Sequence, residues 1–138
     1  MARETVTKVE RFSVDIPNQP GEGAKLLEAL KAEGVNLIAC WGYPLGEAGV
    51  ARMELIPSDP AVLQKAAKKA KVKLTRLPVA FHVVGLDRPG SLAAILSKLA
   101  ERGVNVHALQ AISVGSRYAC LIQVDAKDIR KAAAALGV

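Results

Sequence analysis

The chain is poor in aromatic residues, cysteine and histidine. Only 4% of its 138 residues are aromatic, and it contains two cysteines and two histidines. Cys40 and Cys120 lie far apart and form no Cys-x-x-Cys pair, which argues against a disulfide framework and against a structural zinc site. No nucleophile, base and orienting group occur at a recognisable spacing, so the sequence predicts no catalytic residues, no metal and no cofactor.

Long apolar runs are also missing. No segment approaches the ~18 residues that a membrane-spanning helix needs, and the charged N-terminus lacks the apolar stretch of a secretory signal. The hydrophobic fraction of 51% is nevertheless too high for a disordered chain. We therefore expect a folded cytoplasmic protein that does not insert into a membrane, large enough for one ordinary domain or two very small ones.

An internal repeat organises the sequence. When the chain is shifted against itself by 69 residues, eleven of the 29 positions between Phe12 and Cys40 are identical to their counterparts, without a gap. The identities include Pro20-Gly21 against Pro89-Gly90 and Gly34-Val35-Asn36 against Gly103-Val104-Asn105. Since such self-similarity defines the unit of folding, the chain is predicted to be a tandem repeat.

Each copy has the pattern of a βαββαβ module. Alternating apolar residues predict strands, apolar residues at helical spacing such as Ala24, Leu27 and Leu30 predict helices, and Ser58-Asp59-Pro60 is a typical helix start. The first copy is predicted to contain strands at Phe12–Ile16, Val35–Tyr43, Val50–Ile56 and Val72–Leu77. The second copy is predicted to contain strands at Phe81–Leu86, Val104–Ser113 and Arg117–Val124 and helices at Ser91–Arg102 and Ala126–Leu136.

The fold class predicted from these patterns is α+β, with two ferredoxin-like modules at residues 10–77 and 78–138. We expect two four-stranded antiparallel sheets, joined edge to edge or face to face and covered by four helices. The second copy ends before a fourth strand, and residues 3–9 are predicted to supply it by pairing along Phe81–Leu86, because an unpaired edge there would promote aggregation. The alternative is that these residues form a frayed tail.

The turn that follows the first strand of each copy is the candidate binding site. It reads Asn18-Gln19-Pro20-Gly21 in the first copy and Asp87-Arg88-Pro89-Gly90 in the second. The first amide groups of the following helix have no partner within the helix and attract a carboxylate. Asn36 and Asn105 enter the next strand 18 residues later. If these groups converge, a free α-amino acid would meet amide donors at one end and side-chain oxygens at the other.

These motifs, at this separation and repeated twice, resemble the ACT domain, a ferredoxin-like module that binds amino acids and regulates metabolic enzymes. The resemblance implies ligand contacts at Asn18 with Asn36 and at Asp87 with Asn105. The other candidate site residues belong to the two turns themselves: Gln19, Gly21, Arg88 and Gly90. Serine-binding members of the family carry a histidine two positions before the turn residue. Ile16 and Gly85 occupy those positions here, so the resemblance does not imply serine as the ligand.

The function implied by the resemblance is non-catalytic. The chain would bind an amino acid and pass the signal to a separate metabolic enzyme, and a homodimer would cover the remaining sheet edges. The alternative is a regulatory subunit or scaffold that binds an enzyme without a ligand of its own, since both turns and both Gly-Val-Asn sequences also have purely structural uses.

The net charge of +6 lies entirely in residues 70–138, because the first 69 residues carry equal numbers of acidic and basic side chains. A basic cluster without any acid extends from Lys65 to Arg76 and also contains Lys68, Lys69, Lys71 and Lys73. Such a cluster can attract nucleic acid. It is also typical of a solvated helix face, and no interleaved aromatic residues accompany it, so nucleic acid is the less favoured partner.

Overall fold

The computed structural model describes residues 4–46 and 49–138. The chain begins with strand β1 (Thr5–Pro17), helix α1 (Glu22–Ala32), strands β2 (Leu37–Pro44) and β3 (Val50–Pro57), and helix α2 (Pro60–Lys69). It continues with strand β4 (Thr75–Leu86), helix α3 (Ser91–Glu101), strands β5 (Val106–Val114) and β6 (Arg117–Val124), a 3₁₀ turn at Ala126–Asp128 and helix α4 (Ile129–Leu136). The α+β class and the βαββαβ pattern are thus confirmed.

The strands form a six-stranded sheet in the order β2-β3-β1-β4-β6-β5. The pairs β1–β3, β2–β3, β4–β6 and β5–β6 are all antiparallel. This corrects the expectation of two four-stranded sheets. The sheet has fewer strands than predicted because two of its strands each join two segments that were predicted to be separate.

The continuous strands are β1 and β4. No glycine, and no other residue that would force a turn, separates Val9 from Phe12, so the predicted N-terminal segment and the first strand are one strand of 13 residues. Likewise β4 runs from Thr75 through Pro78 into Phe81–Leu86. The predicted strand Val72–Leu77 is therefore wrong as an independent element, because regular pairing begins only at Thr75.

The chain divides into two compact units. We call Glu10–Leu77 the N-terminal unit, and residues 4–9 together with Pro78–Val138 the C-terminal unit. The core of the N-terminal unit contains buried Phe12, Leu55 and Leu63. The core of the C-terminal unit contains buried Phe81 and Ile122, and partly buried Val6 of β1 packs against it.

The packing face of α1 differs from the predicted one. Leu26 and Leu30 are buried, whereas 37% of Leu27 is exposed. A pair of leucines four residues apart lies on one side of a helix, so Leu30 of the predicted set faces the core together with Leu26, whereas Ala24 and Leu27 are exposed. The predicted end of the helix is confirmed, since Gly34 adopts a φ of 80° and its amide donates to the carbonyl of Lys31 at 3.0 Å.

The start of α2 is also as predicted. The carboxylate of Asp59 accepts a hydrogen bond from the amide of Ala61 at 3.0 Å, and Pro60 occupies the first helical position. Cys40 is exposed and Cys120 is buried, and both are free thiols. Within the described residues, none of the helices has the length and apolar character to cross a membrane.

Candidate functional site

The turn between β4 and α3 is held by hydrogen bonds from both sides. The amide of Asp87 donates to the carbonyl of Ser116 at 2.9 Å, and the hydroxyl of Ser91 donates to the carbonyl of Leu86 at 3.0 Å. Gly90 precedes the helix with a φ of 88°, a conformation that side chains other than glycine's rarely allow. Gly90 has no side chain to cap the helix, and the amide of Ser91 donates to the carbonyl of Arg88 at 3.2 Å, so the amides that remain for an anion are those of Leu92 and Ala93.

A cavity of about 850 Å³ opens beside this turn in the C-terminal unit. Its polar lining comes from the turn and α3, through Arg88, Gly90, Ser91 and Lys98, and from the N-terminal segment, through Glu4. Val6, Leu86, Pro89, Ala94 and Leu136 provide the apolar lining. Two of the eight predicted site residues, Arg88 and Gly90, thus line a volume large enough for an amino acid.

Glu4 is fixed within this cavity by Tyr118, whose hydroxyl donates a hydrogen bond to the Glu4 carboxylate. Burial, and secondly this hydrogen bond, raise the pKa of Tyr118 well above its ordinary value, so the phenol stays protonated and donates. Burial, with a smaller contribution from the Glu4 charge, also raises the pKa of Cys120 to about 11. The carboxylate of Glu4 is therefore an oriented negative charge at the edge of the cavity.

Gly85 makes the space that Glu4 occupies. A Cβ atom at position 85 would lie 2.9 Å from Cγ of Glu4 and 2.9 Å from Cε1 of Tyr118, which is closer than real contacts allow. This is the position at which serine-binding ACT domains carry a histidine. In this chain the N-terminal segment contributes a carboxylate there instead.

A smaller cavity of about 390 Å³ lies on the other side of the same turn. Asp87 lines it together with Arg88, Ile112, Ser113 and Tyr118. The structure therefore brings Asp87, Arg88 and Gly90 together at one turn. It places the Asp87 side chain beside β5 and β6, however, and the larger cavity is lined by Arg88 and Gly90 without Asp87.

The corresponding turn of the N-terminal unit is built in the same way. The amide of Asn18 donates to the carbonyl of Gly49 at 3.0 Å, the amide of Glu22 donates to the carbonyl of Gln19 at 3.3 Å, and Gly21 has a φ of 90°. Asn18, Gln19 and Gly21 are exposed. A cavity of about 280 Å³ opens nearby between α1 and the segment after α2, lined by charges of both signs.

Asn36 and Asn105 do not meet the turn of their own unit. The 11 residues of α1, roughly 16 Å, separate Asn36 from Asn18, and α3 has the same length and separates Asn105 from Asp87. The carbonyl of Asn36 instead accepts from the amide of Ser58 at 2.9 Å, beyond the far end of β3. The expected convergence within one module is therefore wrong, because helices follow the turns and carry the chain away from them.

The comparison with protein families matches residues 83–137 to the ACT domain. This range, 55 of the 138 residues, contains the turn, the whole of α3 and the last two strands described above. The comparison with curated proteins found no significant match.

Solved structures share the fold over nearly the whole chain. A protein from Bacteroides thetaiotaomicron has a TM-score of 0.82 at 21% identity, over 96% of this chain and 88% of that one. The regulatory subunits of aspartate kinase from Thermus thermophilus and Thermus flavus have TM-scores of 0.65 and 0.61 at 19% and 18% identity. Both alignments cover 97% of this chain and 94% of theirs. The chain thus shares its fold with these solved structures.

The basic cluster from Lys65 to Arg76 is partly neutralised by its surroundings. Lys69 forms an ion pair with Glu33 at 3.2 Å, and Arg76 pairs with Glu10 while its guanidinium lies 5.1 Å from the ring centre of Phe12. Two of the six basic residues therefore have structural partners. These contacts favour the interpretation of the cluster as a solvated face.

The sequence patterns do not identify Glu4 or Lys98 as residues of the cavity. The segment that contains Glu4 is predicted only to pair as a strand, and the repeat has Ala29 at the position equivalent to Lys98, so the shared motifs do not include this lysine. The available signal was the spacing of Ser91, Ala94 and Lys98, which places all three on one face of α3. The contribution of Glu4 required knowledge of where β1 lies in the sheet.

Proposed function

We propose that this chain is a non-catalytic regulatory protein that binds a free amino acid in the cavity beside Arg88–Ser91 and acts on a separate metabolic enzyme. The observation that supports the proposal is the composition of that cavity. Arg88, just before the start of α3, suits an α-carboxylate, and the fixed carboxylate of Glu4 suits an α-ammonium group. Both ends of a zwitterion therefore have a complementary group.

The same proposal includes ligand contacts by the remaining turn residues, each at its own turn. They are Asn18, Gln19 and Gly21 in the N-terminal unit and Asp87 in the C-terminal unit. Asp87 would contact a ligand only in the smaller cavity that it lines. Asn36 and Asn105 do not lie at the turn of their own unit, and in this proposal a second copy of the chain brings them to a ligand. A homodimer is accordingly part of the proposal, and the edge strand β5 favours it because 69% of Ile112 and 73% of Val114 are exposed.

Ligand binding is tested by a thermal-shift screen of the twenty amino acids at millimolar concentration, followed by calorimetric titration of each hit. A ligand at 100 times its dissociation constant stabilises a protein by about 2.7 kcal/mol, which is a shift of several degrees for a domain of this size. Light scattering with and without the hit measures the oligomeric state.

The variant that tests the site is Arg88→Gln, because glutamine is the residue that Gln19 provides at the equivalent position of the first copy. We expect it to weaken binding at least tenfold through loss of a charge-assisted hydrogen bond. Arg102→Gln is the matched control, since Arg102 is exposed beyond the end of α3 and does not line the cavity. A screen in which no amino acid stabilises the protein would leave the scaffold without a ligand as the function.

A further inference from the structure

The two units carry a cavity at the same place in the fold but with different charges. With the 69-residue offset of the repeat, Lys73 corresponds to Glu4, Glu22 to Ser91 and Ala29 to Lys98. Lys73, Glu22 and Ala29 line the cavity of the N-terminal unit, as Glu4, Ser91 and Lys98 line that of the C-terminal unit. The exchange of charges at matched positions indicates that the two cavities do not take the same ligand.

The cavity of the N-terminal unit is smaller, and three cations and two anions line it. Its volume is about 280 Å³ against about 850 Å³, and Asp15 and Glu22 line it together with Lys25, Lys71 and Lys73. Helix α1 begins with the carboxylate of Glu22, so the start of that helix already has a negative charge of its own. Asp15 is held in addition by Arg52 through two hydrogen bonds of 2.7 and 3.1 Å.

The cavity of the C-terminal unit has an excess of positive charge. Its charged lining consists of two cations, Arg88 and Lys98, and one anion, Glu4. Within residues 4–46 and 49–138 the structure shows no ion pair of Arg88 or Lys98. Glu4 is already committed to the Tyr118 hydroxyl rather than to either cation. A ligand must therefore carry one net negative charge to balance the positive charge of the cavity, and a neutral zwitterion does not.

The position of Lys98 shows where that second negative charge would lie. Lys98 follows Ala94 by four residues and Ser91 by seven, on one face of α3, and helical side chains lean toward the N-terminus. Its ammonium group is thus directed back over Ala94 toward the turn. Ala94, with only a methyl group, lies between Lys98 and the turn, and Arg88, Ala94 and Lys98 line the same cavity.

We infer that the cavity of the C-terminal unit binds an acidic α-amino acid, with one site per chain. This inference rests on the proposed function. Glu4 receives the α-ammonium group, Arg88 and the start of α3 receive the α-carboxylate, and Lys98 receives the side-chain carboxylate. Aspartate or glutamate, with one net negative charge, neutralises the excess charge of the cavity, whereas lysine or arginine as ligand would increase it.

The test is calorimetric titration of the full chain with aspartate, glutamate, asparagine, glutamine and lysine, and with inorganic phosphate as a simple anion. We expect one acidic amino acid to bind at one site per chain, about tenfold or more tighter than its amide, since a hydrogen bond between charged groups contributes that much. Lysine and phosphate should bind more weakly than the acidic amino acid.

Two lysine variants give the matched comparison. Lys98→Met should remove the preference for the acidic amino acid over its amide, because the lysine charge distinguishes the two. Lys25→Met, which removes a lysine from the cavity of the N-terminal unit, should leave that preference unchanged. Both lysines are exposed on helices, so both variants are expected to fold, and circular dichroism checks this.

The possible results separate this inference from the proposed function. Four results would overturn the acidic assignment but leave amino-acid binding itself intact. They are equal affinities for an acid and its amide, an unchanged preference in Lys98→Met, two sites per chain, and phosphate binding as tightly as aspartate. Absence of binding by any of the twenty amino acids would overturn the proposed function as well.

Discussion

At the scale of single residues, Gly85 occupies the position at which serine-binding ACT domains, which the turn resembles, carry a histidine. The side chains of Glu4 and Tyr118 fill the volume that a Cβ at position 85 would need. The departure is therefore not a missing contact but an exchange, in which a carboxylate from the start of the chain replaces a side chain on β4. This exchange sets the charge of the cavity.

Gly85→Ala is expected to lower the free energy of unfolding by about 1–3 kcal/mol, because the new methyl group displaces the ring of Tyr118 or the stem of Glu4. Chemical denaturation measures the change. Gly23→Ala in α1 is the matched control, since its Cβ would meet only the sulfur of Met53 at an ordinary 3.7 Å. That substitution should be neutral or slightly stabilising, because alanine favours a helix over glycine.

The double variant Glu4→Ala with Gly85→Ala tests the cause. If the collision with the Glu4 stem contributes, the two substitutions together cost less than the sum of the two alone. A fully additive result would place the strain at Tyr118 only. An unchanged stability of Gly85→Ala would contradict the close packing described here.

At the scale of elements, the first half of β1 belongs to the C-terminal unit although it lies at the start of the chain. Val6 packs against the core of that unit, and Glu4 reaches its cavity. The structure thus gives residues 4–9 two roles, to extend the sheet and to contribute a charge to the site. A frayed tail, the alternative from the sequence, would do neither.

Val6→Asp should destabilise the C-terminal unit by about 2 kcal/mol, because it places a charge against an apolar core. The neighbouring substitution Thr7→Asp introduces the same charge on an exposed position and should cost less than about 0.5 kcal/mol. Hydrogen exchange of residues 78–138 measures the local effect. Equal costs for the two variants would show that the side chain of Val6 does not pack as the structure indicates.

At the scale of the whole molecule, the chain has two separate hydrophobic cores, and the C-terminal one contains two groups that titrate at high pH. Burial and the charge of Glu4 raise the pKa of Cys120 to about 11, and burial raises the pKa of Tyr118 further above its ordinary value. Both groups are neutral when protonated. Their stabilising effect is therefore complete below pH 9 and is lost as the pH rises through the pKa values of the folded state.

We expect the free energy of unfolding to fall between pH 9 and pH 11, and Cys120→Ala to reduce the fall because it removes the titrating thiol. Denaturation curves of both proteins at pH 7, 9 and 11 measure the two slopes. The comparison uses the change with pH rather than the absolute stability, since the variant also loses the packing of the sulfur atom. Identical slopes would contradict the assignment to Cys120.

Much of the local structure could be predicted from the sequence by itself. The period-2 alternation of Phe12, Val14 and Ile16, the capping group of Asp59 and the positive φ of Gly34 are local properties, decided by a few neighbouring residues. The repeat predicted the two turns, and Arg88 and Gly90 do line the large cavity. These features follow from interactions over a few residues and do not depend on how the helices and strands are arranged in space.

Only the tertiary structure decided which groups share a site. The sequence could not show that α1 and α3 carry Asn36 and Asn105 away from their turns, because motif spacing along a chain contains no direction in space. Nor could it show that Glu4 lines the same cavity as Lys98, since strand pairing and core packing across most of the chain bring the two to that cavity. Local chemistry determined the elements, and long-range packing determined the charge of the cavity.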